Sequence, residues 1–295
     1  MVAGLVPCPL QIRANYGIAK TSPFLRGGLC GSLNLTNHGK QIFMMIPMKL
    51  LKFIGCGLWL LATGCATAQD QTNLAPCADS VLRTACQFLQ QTPAFSLNAE
   101  IWREHVDESG QKIQFSRTVT MDVKRPAGLR LEIISPNTVR GFWYDGKTLT
   151  VLDRKHNFYG VTPMPATLDA TVDAAHDQFG IDLPLIDLAL SDPYKNATAQ
   201  VTGGKYFGIA PVLGVLCHHL AFTQDNLDWQ IWIEDGPQPL IRKFVITQKN
   251  EPGAPEFTAL ITHWNVSDRV DDSDFVFSQP KGAAKVEMQE AGNSK

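Results

Sequence analysis

The chain has 295 residues, 44% of them hydrophobic and 18% charged, with a formal net charge of −2 at neutral pH. Those proportions belong to a globular protein able to bury a sizeable core. Residues 1–68 hold six Lys or Arg and no acid, leaving 20 basic and 28 acidic residues, a formal charge of −8, for the rest; such a body excludes nucleic acid, whose binding needs a concentrated basic surface.

Met48-Lys-Leu-Leu-Lys52 followed by Phe53 to Ala62 has the form of an export signal, a positive start leading into a short apolar core and then small residues. That core is about half of the ~20 residues a spanning helix needs, which excludes a transmembrane anchor. Two processing sites compete within residues 48–68. Ala66-Thr-Ala68 is an A-x-A cleavage site that would release a periplasmic protein, whereas Leu61-Ala-Thr-Gly-Cys65 resembles a lipobox. The second would make Cys65 a lipidated N-terminus and attach the protein to the outer membrane. Because signals begin near the start codon, residues 1–47 are expected to be an over-extended gene start or a disordered leader. Initiation would then fall at Met44, Met45 or Met48.

The body begins with an apolar stripe between Ala78 and Gln91, in which Leu82, Cys86 and Leu89 predict a helix that Pro93 stops. Phe95, Leu97, Ala99 and Ile101 alternate with polar residues. After the turn Asp107-Glu-Ser-Gly110, so do Ile113, Phe115, Val119, Met121 and Val123, giving a long hairpin. Arg125-Pro126 ends it, and Leu129, Leu131 and Ile133 predict a third strand. In the run Phe142-Trp-Tyr-Asp145-Gly146-Lys to Leu152, the Asp-Gly pair predicts a type I′ turn with φ above zero at both positions. Asn157 to Val161 adds another strand.

From Pro163 to Tyr194 the period changes. Leu168, Val172, Ala175 and Phe179 recur at helical spacing, with Asp169, Asp173 and Asp177 on the opposite face. A second helix is expected over Ile181–Leu190, with Pro184 in its first turn and Pro193 forbidding continuation. Strands resume at Lys205–Ala210, Val215–Phe222, Trp229–Glu234, Leu240–Thr247 and Phe257–Val266, and Phe275–Phe277 is expected to be the last. The polar residues 288–295 predict a disordered tail. About ten antiparallel strands in one sheet must curl, and the helices are available to fill the concave face.

Of the seven cysteines, Cys77, Cys86 and Cys217 fall in the body. Along one helix Cys77 and Cys86 would stand about 13 Å apart, beyond the ~7 Å limit for a bridge. They can pair only if Cys77 folds back from outside the helix. Cys217 reads as a buried small hydrophobe.

Arg125-Pro126, Phe142 to Lys147, Asp182 to Leu188, Ser191 to Tyr194, Cys217-His-His-Leu-Ala-Phe222 and Asp228-Trp-Gln-Ile-Trp-Ile-Glu234 together resemble a bacterial domain-of-unknown-function family of predicted periplasmic proteins, grouped with the LolA/LolB-like lipoprotein carriers. The similarity runs from about Ala78 to Glu287. It implies an unclosed antiparallel β-barrel wrapped around helices, in a group whose members hold acyl chains in an apolar cavity. It carries over no catalytic residue. The expected fold is therefore mainly β (α+β): a single curved antiparallel sheet over residues 78–287, an unclosed half-barrel around two or three helices.

No H-E-x-x-H, G-x-S-x-G or P-loop is present. Cys217 and His219 share a strand face and would need a third ligand such as His263 to hold a metal; a buried thiol and a hydrogen-bonded histidine carry more weight. Asp169, Asp173 and Asp177 could form an acid/base site, but a solvated helix face outweighs that. The chain is thus expected to be non-enzymatic, without metal or cofactor, and to bind a lipid or lipoprotein acyl chain. Trp143, Val172, Phe179, Leu185, Leu188, Leu190, Trp229 and Trp232 are the candidates to line the cavity or its lid. The alternative is an envelope structural or assembly factor whose insert permanently plugs the sheet, and the third reading is a hydrolase or metal enzyme with an unfamiliar site.

Overall fold

A computed structural model of the chain describes residues 73–266 and 270–291. The expected leader over 1–47, the export signal over 48–68 with Cys65, and residues 292–295 lie outside the described residues.

Period-two alternation sends successive side chains to opposite faces, and it builds two runs of strands. The first comprises β2 (Ala94–Val106), β3 (Lys112–Lys124), β4 (Gly128–Ser135), β5 (Thr138–Tyr144), β6 (Thr148–Asp153) and β7 (Phe158–Pro163). The second comprises β8 (Gly203–Val212), β9 (Val215–Thr223), β10 (Leu227–Glu234), β11 (Ile241–Gln248) and β12 (Glu256–Asn265). Two short strands, β1 (Asn73–Leu74) and β13 (Ala284–Lys285), pair in parallel with β8 and β7 at the margins. All join in one curved, unclosed sheet of order β1-β8-β9-β10-β11-β12-β2-β3-β4-β5-β6-β7-β13.

Register aligns the apolar positions across strands. Trp264, Leu97, Met121, Leu131, Phe142 and Val151 are successive partners from β12 to β6, so they form one continuous row on the concave face. The row ends at Gly160, where a side chain would meet Met288: a Cβ built there lies 2.5 Å from Met288 Cγ. Met288 thus supplies from another segment the apolar group that Gly160 lacks.

Three helices cover the concave face. In α1 (Pro76–Gln91), proline opens the first turn, and Ala78, Leu82, Ala85 and Leu89 recur at helical spacing and are buried. In α2 (Leu168–Phe179), the Thr167 hydroxyl accepts from Ala170 N–H at the start. Gly180, at φ 61°, ends it: Gly180 N–H donates to His176 O and Ile181 N–H to Ala175 O, the glycine-terminated geometry a left-handed residue permits. Then α3 spans Pro193–Thr198.

Several expectations are corrected. The second helix over Ile181–Leu190 is only a single 3₁₀ turn, Ile186–Leu188, because Leu185 adopts a left-handed φ of 66° that an α-helix cannot contain. Pro193 opens a helix instead of closing one. It occupies the first turn of α3, where its missing N–H is harmless, and the Asp192 carboxylate caps it by accepting from Lys195 N–H at 2.9 Å. At the β5–β6 turn only Gly146 has positive φ; Asp145 instead bends the chain by accepting from the N–H groups of Lys147 and Thr148. The expected last strand at Phe275–Phe277 does not form: Phe275 ends a 3₁₀ turn, Asp272–Phe275, held by reciprocal Asp271 and Asp274 caps, and Val276 and Phe277 follow outside any strand. The first residues of the expected tail lie against the domain, for Met288 packs on the core and Ala291 N–H donates to Gln178 O at 2.7 Å.

Cys77 and Cys86 both lie in α1, one exposed and one buried, and with buried Cys217 they are free thiols. Removing the α3 cap by Asp192→Ala should lower stability by about 1 kcal/mol. Urea unfolding followed by tryptophan fluorescence should show a lower midpoint with unchanged slope, and Asp192→Asn should restore most of it.

Candidate functional site

β7 and β8 stand at opposite margins of the antiparallel strands, so residues 164–202 must cross the concave face to join them. Their apolar side chains merge with the sheet: Leu168, Val172, Leu185, Leu188 and Leu190 belong to the same buried cluster as Trp229, Phe244 and Leu131. Five of the eight sequence-predicted residues, Val172, Leu185, Leu188, Leu190 and Trp229, therefore meet in one seam between insert and sheet. Phe179 is buried but stands apart from that cluster.

Trp143 and Trp232 are on the convex face, contrary to expectation. Their neighbours Phe142, Tyr144, Ile231 and Ile233 point into the core, and a strand cannot send adjacent residues to the same side. Trp143 folds over Gly141, where a Cβ would lie 2.3 Å from its ring, and it packs against Phe277 at 5.2 Å. Trp232 stacks on His219 with centroids 4.2 Å apart, and the Lys243 ammonium lies 4.8 Å from its ring.

His219 Nε2 meets Gln230 Oε1 at 3.0 Å on that outer face, and Cys217 Sγ donates to Val215 O. Burial, with the charge of Glu234 adding to it, pushes the Cys217 thiol up to about 11. His263 is exposed on β12. Among the described residues no three His, Cys, Asp or Glu side chains are grouped to hold a metal.

At the seam, α1, the insert and strands β10 and β11 leave a cavity of about 40 Å³. Leu82 and Cys86 of α1, Asp187, Leu188 and Ala197 of the insert, and Trp229 and Phe244 of the sheet line it, and its surface is almost wholly apolar. Burial, reinforced by the charge of Asp192 and opposed by Arg83, pushes the Cys86 thiol up to about 12. It is a neutral lining group and a poor nucleophile.

Polar clasps surround this apolar seam. Arg125 donates from Nη1 to Thr92 O at 2.6 Å and from Nη2 to Leu188 O at 3.0 Å, tying the 3₁₀ turn to the sheet. Burial lowers the Arg125 pKa, and the field of Asp169 partly offsets that. Asp169 accepts from Ser191 Oγ at 2.7 Å, so one carboxylate of the supposed solvated face joins α2 to the α3 approach, while Asp173 and Asp177 are exposed. Gln90 Nε2 donates to Ser191 O at 2.9 Å. Arg83 donates to the Tyr194 hydroxyl at 2.7 Å, and that hydroxyl donates to Asp79, joining α3 to α1. Arg83, Gln90, Arg125 and Tyr194 were not singled out from the sequence as site residues. An arginine locked before a proline and next to a strand end was the available signal for Arg125.

A family model described as "Predicted periplasmic protein (DUF2092)" matches residues 78–289. No curated protein matches the chain. Among solved structures, an uncharacterised conserved protein from Thermus thermophilus is similar at 10% identity and TM-score 0.42, over 72% of this chain and 99% of its own. Lipoprotein LppX from Mycobacterium tuberculosis is similar at 12% identity and TM-score 0.41, over 66% and 99% respectively. LprF from Mycobacterium bovis is similar at 13% identity and TM-score 0.39, over 71% and 99%.

The thiols report whether the insert is closed. At pH 8 in native buffer, peptide-mapped alkylation should modify Cys77 readily and leave Cys86 and Cys217 protected. Arg125→Met orphans two buried carbonyls and should cost about 1–3 kcal/mol. It should also raise Cys86 labelling selectively, with Cys217 unchanged.

Proposed function

The chain belongs to the family of predicted periplasmic proteins designated DUF2092, and we propose that it works in the cell envelope as a non-enzymatic carrier of an apolar ligand, a lipid or lipoprotein acyl chain. The single observation that supports this is the seam itself. An open curved sheet presents an unbroken apolar face to a helical insert whose polar fastenings lie around the contact. Apolar surfaces attract without directionality, so a hydrocarbon chain can take the place of the insert's side chains at little net cost.

A cavity of about 40 Å³ is little larger than one water's share of liquid, roughly 30 Å³, and well below the ~150 Å³ cavity that accepts benzene. Uptake therefore requires the 3₁₀ turn and α3 to lift, which makes the insert a lid. Processing at Cys65 would tether this carrier to the outer membrane; processing after Ala68 would leave it free in the periplasm. The intact mass of the protein from its own host separates the two, since only the former carries acyl groups.

The same small cavity favours a second reading, an envelope assembly factor whose insert stays seated and whose partners bind elsewhere. Native mass spectrometry and lipid extraction of the protein from its own host divide the readings. The carrier should retain about one lipid per chain, and adding lipid should accelerate Cys86 alkylation. Protein that is lipid-free in every preparation, with Cys86 equally protected with and without lipid, overturns the carrier. A stoichiometric protein partner recovered without lipid then supports the plug.

A further inference from the structure

The hairpin of β8 and β9 carries no acid. Residues 203–224 include Lys205, His218 and His219 but neither Asp nor Glu, in a chain with 28 acidic residues. Ile209, Leu213 and Leu216 are 46%, 64% and 57% exposed, and Phe207 is exposed on the same hairpin. Pro211 is the partner of Leu216 and Val212 of Val215, so Leu213 and Leu216 stand at the closed end, with Ile209 just below. Exposed apolar residues that cluster mark an interaction site, whereas single scattered ones do not.

The turn at this apex runs against the usual turn chemistry. Leu213 and Gly214 have φ of 49° and 79°, and a two-residue turn with both values positive ordinarily takes Asn, Asp or Gly at the first position. Leucine has no side-chain oxygen to bond the nearby backbone, so it bears left-handed strain as well as exposure to water. The fold gains nothing in return, since Leu213 joins neither hydrophobic cluster of the described residues. By contrast, the β2–β3 and β5–β6 turns carry Asp107 and Asp145, whose carboxylates accept from neighbouring N–H groups.

The edge beside the apex is poorly suited to another strand. β1 pairs only with Gly203 and Gly204. Beyond them β8 is bulged between Tyr206 and Ile209, and Pro211 has no N–H to offer. Bulges and prolines are the devices by which sheet edges refuse strand addition. The occupant is therefore an apolar medium that needs no ladder. Below the apex come Phe207, Tyr206 and Lys205, aromatic rings and then a cation, the order of groups that suits a membrane–water interface. The carboxylates at the end of β10 are already engaged. Glu234 accepts from Arg242 Nε at 2.9 Å, and Asp235 lies 3.3 Å from His218 Nε2.

We propose that the β8–β9 apex is a bilayer-docking tip, which places Leu213, Leu216 and Ile209 at the boundary between headgroups and acyl chains of a phospholipid surface. Such insertion is shallow, about 5–10 Å for interfacial segments. It is driven by apolar burial, so salt does not release it. The inference stands apart from the carrier reading, because an assembly factor of the same envelope meets the same surface.

The test uses protein exported and processed by its own host, with vesicles of phosphatidylcholine. An environment-sensitive dye is attached at the apex through Leu213→Cys, or at the β2–β3 turn through Glu108→Cys. Both carry Cys77→Ser, which leaves only the buried Cys86 and Cys217. Vesicles should blue-shift the apex dye, and lipids brominated along their chains should quench it, at low salt and at about 1 M alike. Dye at position 108 should not change. Leu213→Asn should unfold in urea at a midpoint no lower than wild type, because asparagine suits the turn. It should nonetheless bind vesicles about tenfold more weakly.

An apex dye that vesicles neither shift nor quench overturns the docking tip, as does release by salt or equal quenching at both positions. A lower urea midpoint for Leu213→Asn would assign the leucine to the fold and overturn it too. If the apex dye shifts with protein concentration alone, a second copy covers the tip and the bilayer is wrong. None of these outcomes bears on the carrier, which is decided by retained lipid.

Discussion

A sheet whose last strand of one run and first strand of the next lie at opposite margins leaves the connecting segment one short route, across the concave face. β7 and β8 are so placed, and the consequences reach every part of the domain. The insert must be apolar beneath, which Leu168, Val172, Leu185 and Leu188 satisfy, and it must be polar or fastened above. α1 meets the same constraint from the other side, since it leads from marginal β1 to central β2 and has to bury Leu82 and Leu89 against the sheet on the way. The two segments converge over β10 and β11, and the cavity lies where their packing is least complete.

Magnitudes decide how firmly the insert is seated. Five fully buried aliphatic side chains contribute on the order of 10 kcal/mol by burial, whereas each clasp of the Asp169–Ser191 or Arg83–Tyr194 type adds about 1 kcal/mol net. Lifting the insert into water would leave it open about once in 10⁷ molecules. On the proposed carrier reading, an acyl chain entering as the leucines leave would exchange apolar surface for apolar surface, and the clasps would become the larger remaining cost. On that reading they set how readily the seam exchanges its contents, and Arg125 is foremost because it ties the 3₁₀ turn to the sheet with a half-buried cation.

How far the sequence carried depended on which signals are local. Strands with alternating side chains, such as those around Leu97 and Met121, were legible because period two is imposed by the backbone itself. The break at Pro163–Tyr194 was legible for the same reason. The Trp229 and Trp232 pair could have been parted by that rule, since residues three apart on a strand face opposite ways, and Trp143 likewise stands between two inward-facing neighbours. Other features were not local. Leu185 takes a left-handed φ because its side chain is fully buried in the seam, an influence of tertiary packing that helical spacing cannot reveal. Met288 looked like part of a polar tail because its partner, Gly160, is distant in sequence and has no side chain of its own.

The closed seam leaves one indole nitrogen, that of Trp229, without an acceptor among the described residues. Phenylalanine at position 229 would keep an aromatic ring against Phe222 and bury no donor, but it is smaller than tryptophan and would leave a void of its own. Removing that donor and opening that void are effects of similar size and opposite sign, each of about 1 kcal/mol. Trp264 shows that this sheet can satisfy a buried indole where the backbone offers a carbonyl. Trp229 instead shares its wall with Leu82, Cys86, Leu188 and Phe244, and its indole N–H has no acceptor among the described residues. The cost of its unpaired donor is borne by the folded protein, and the apolar burial of the seam, on the order of 10 kcal/mol, outweighs it.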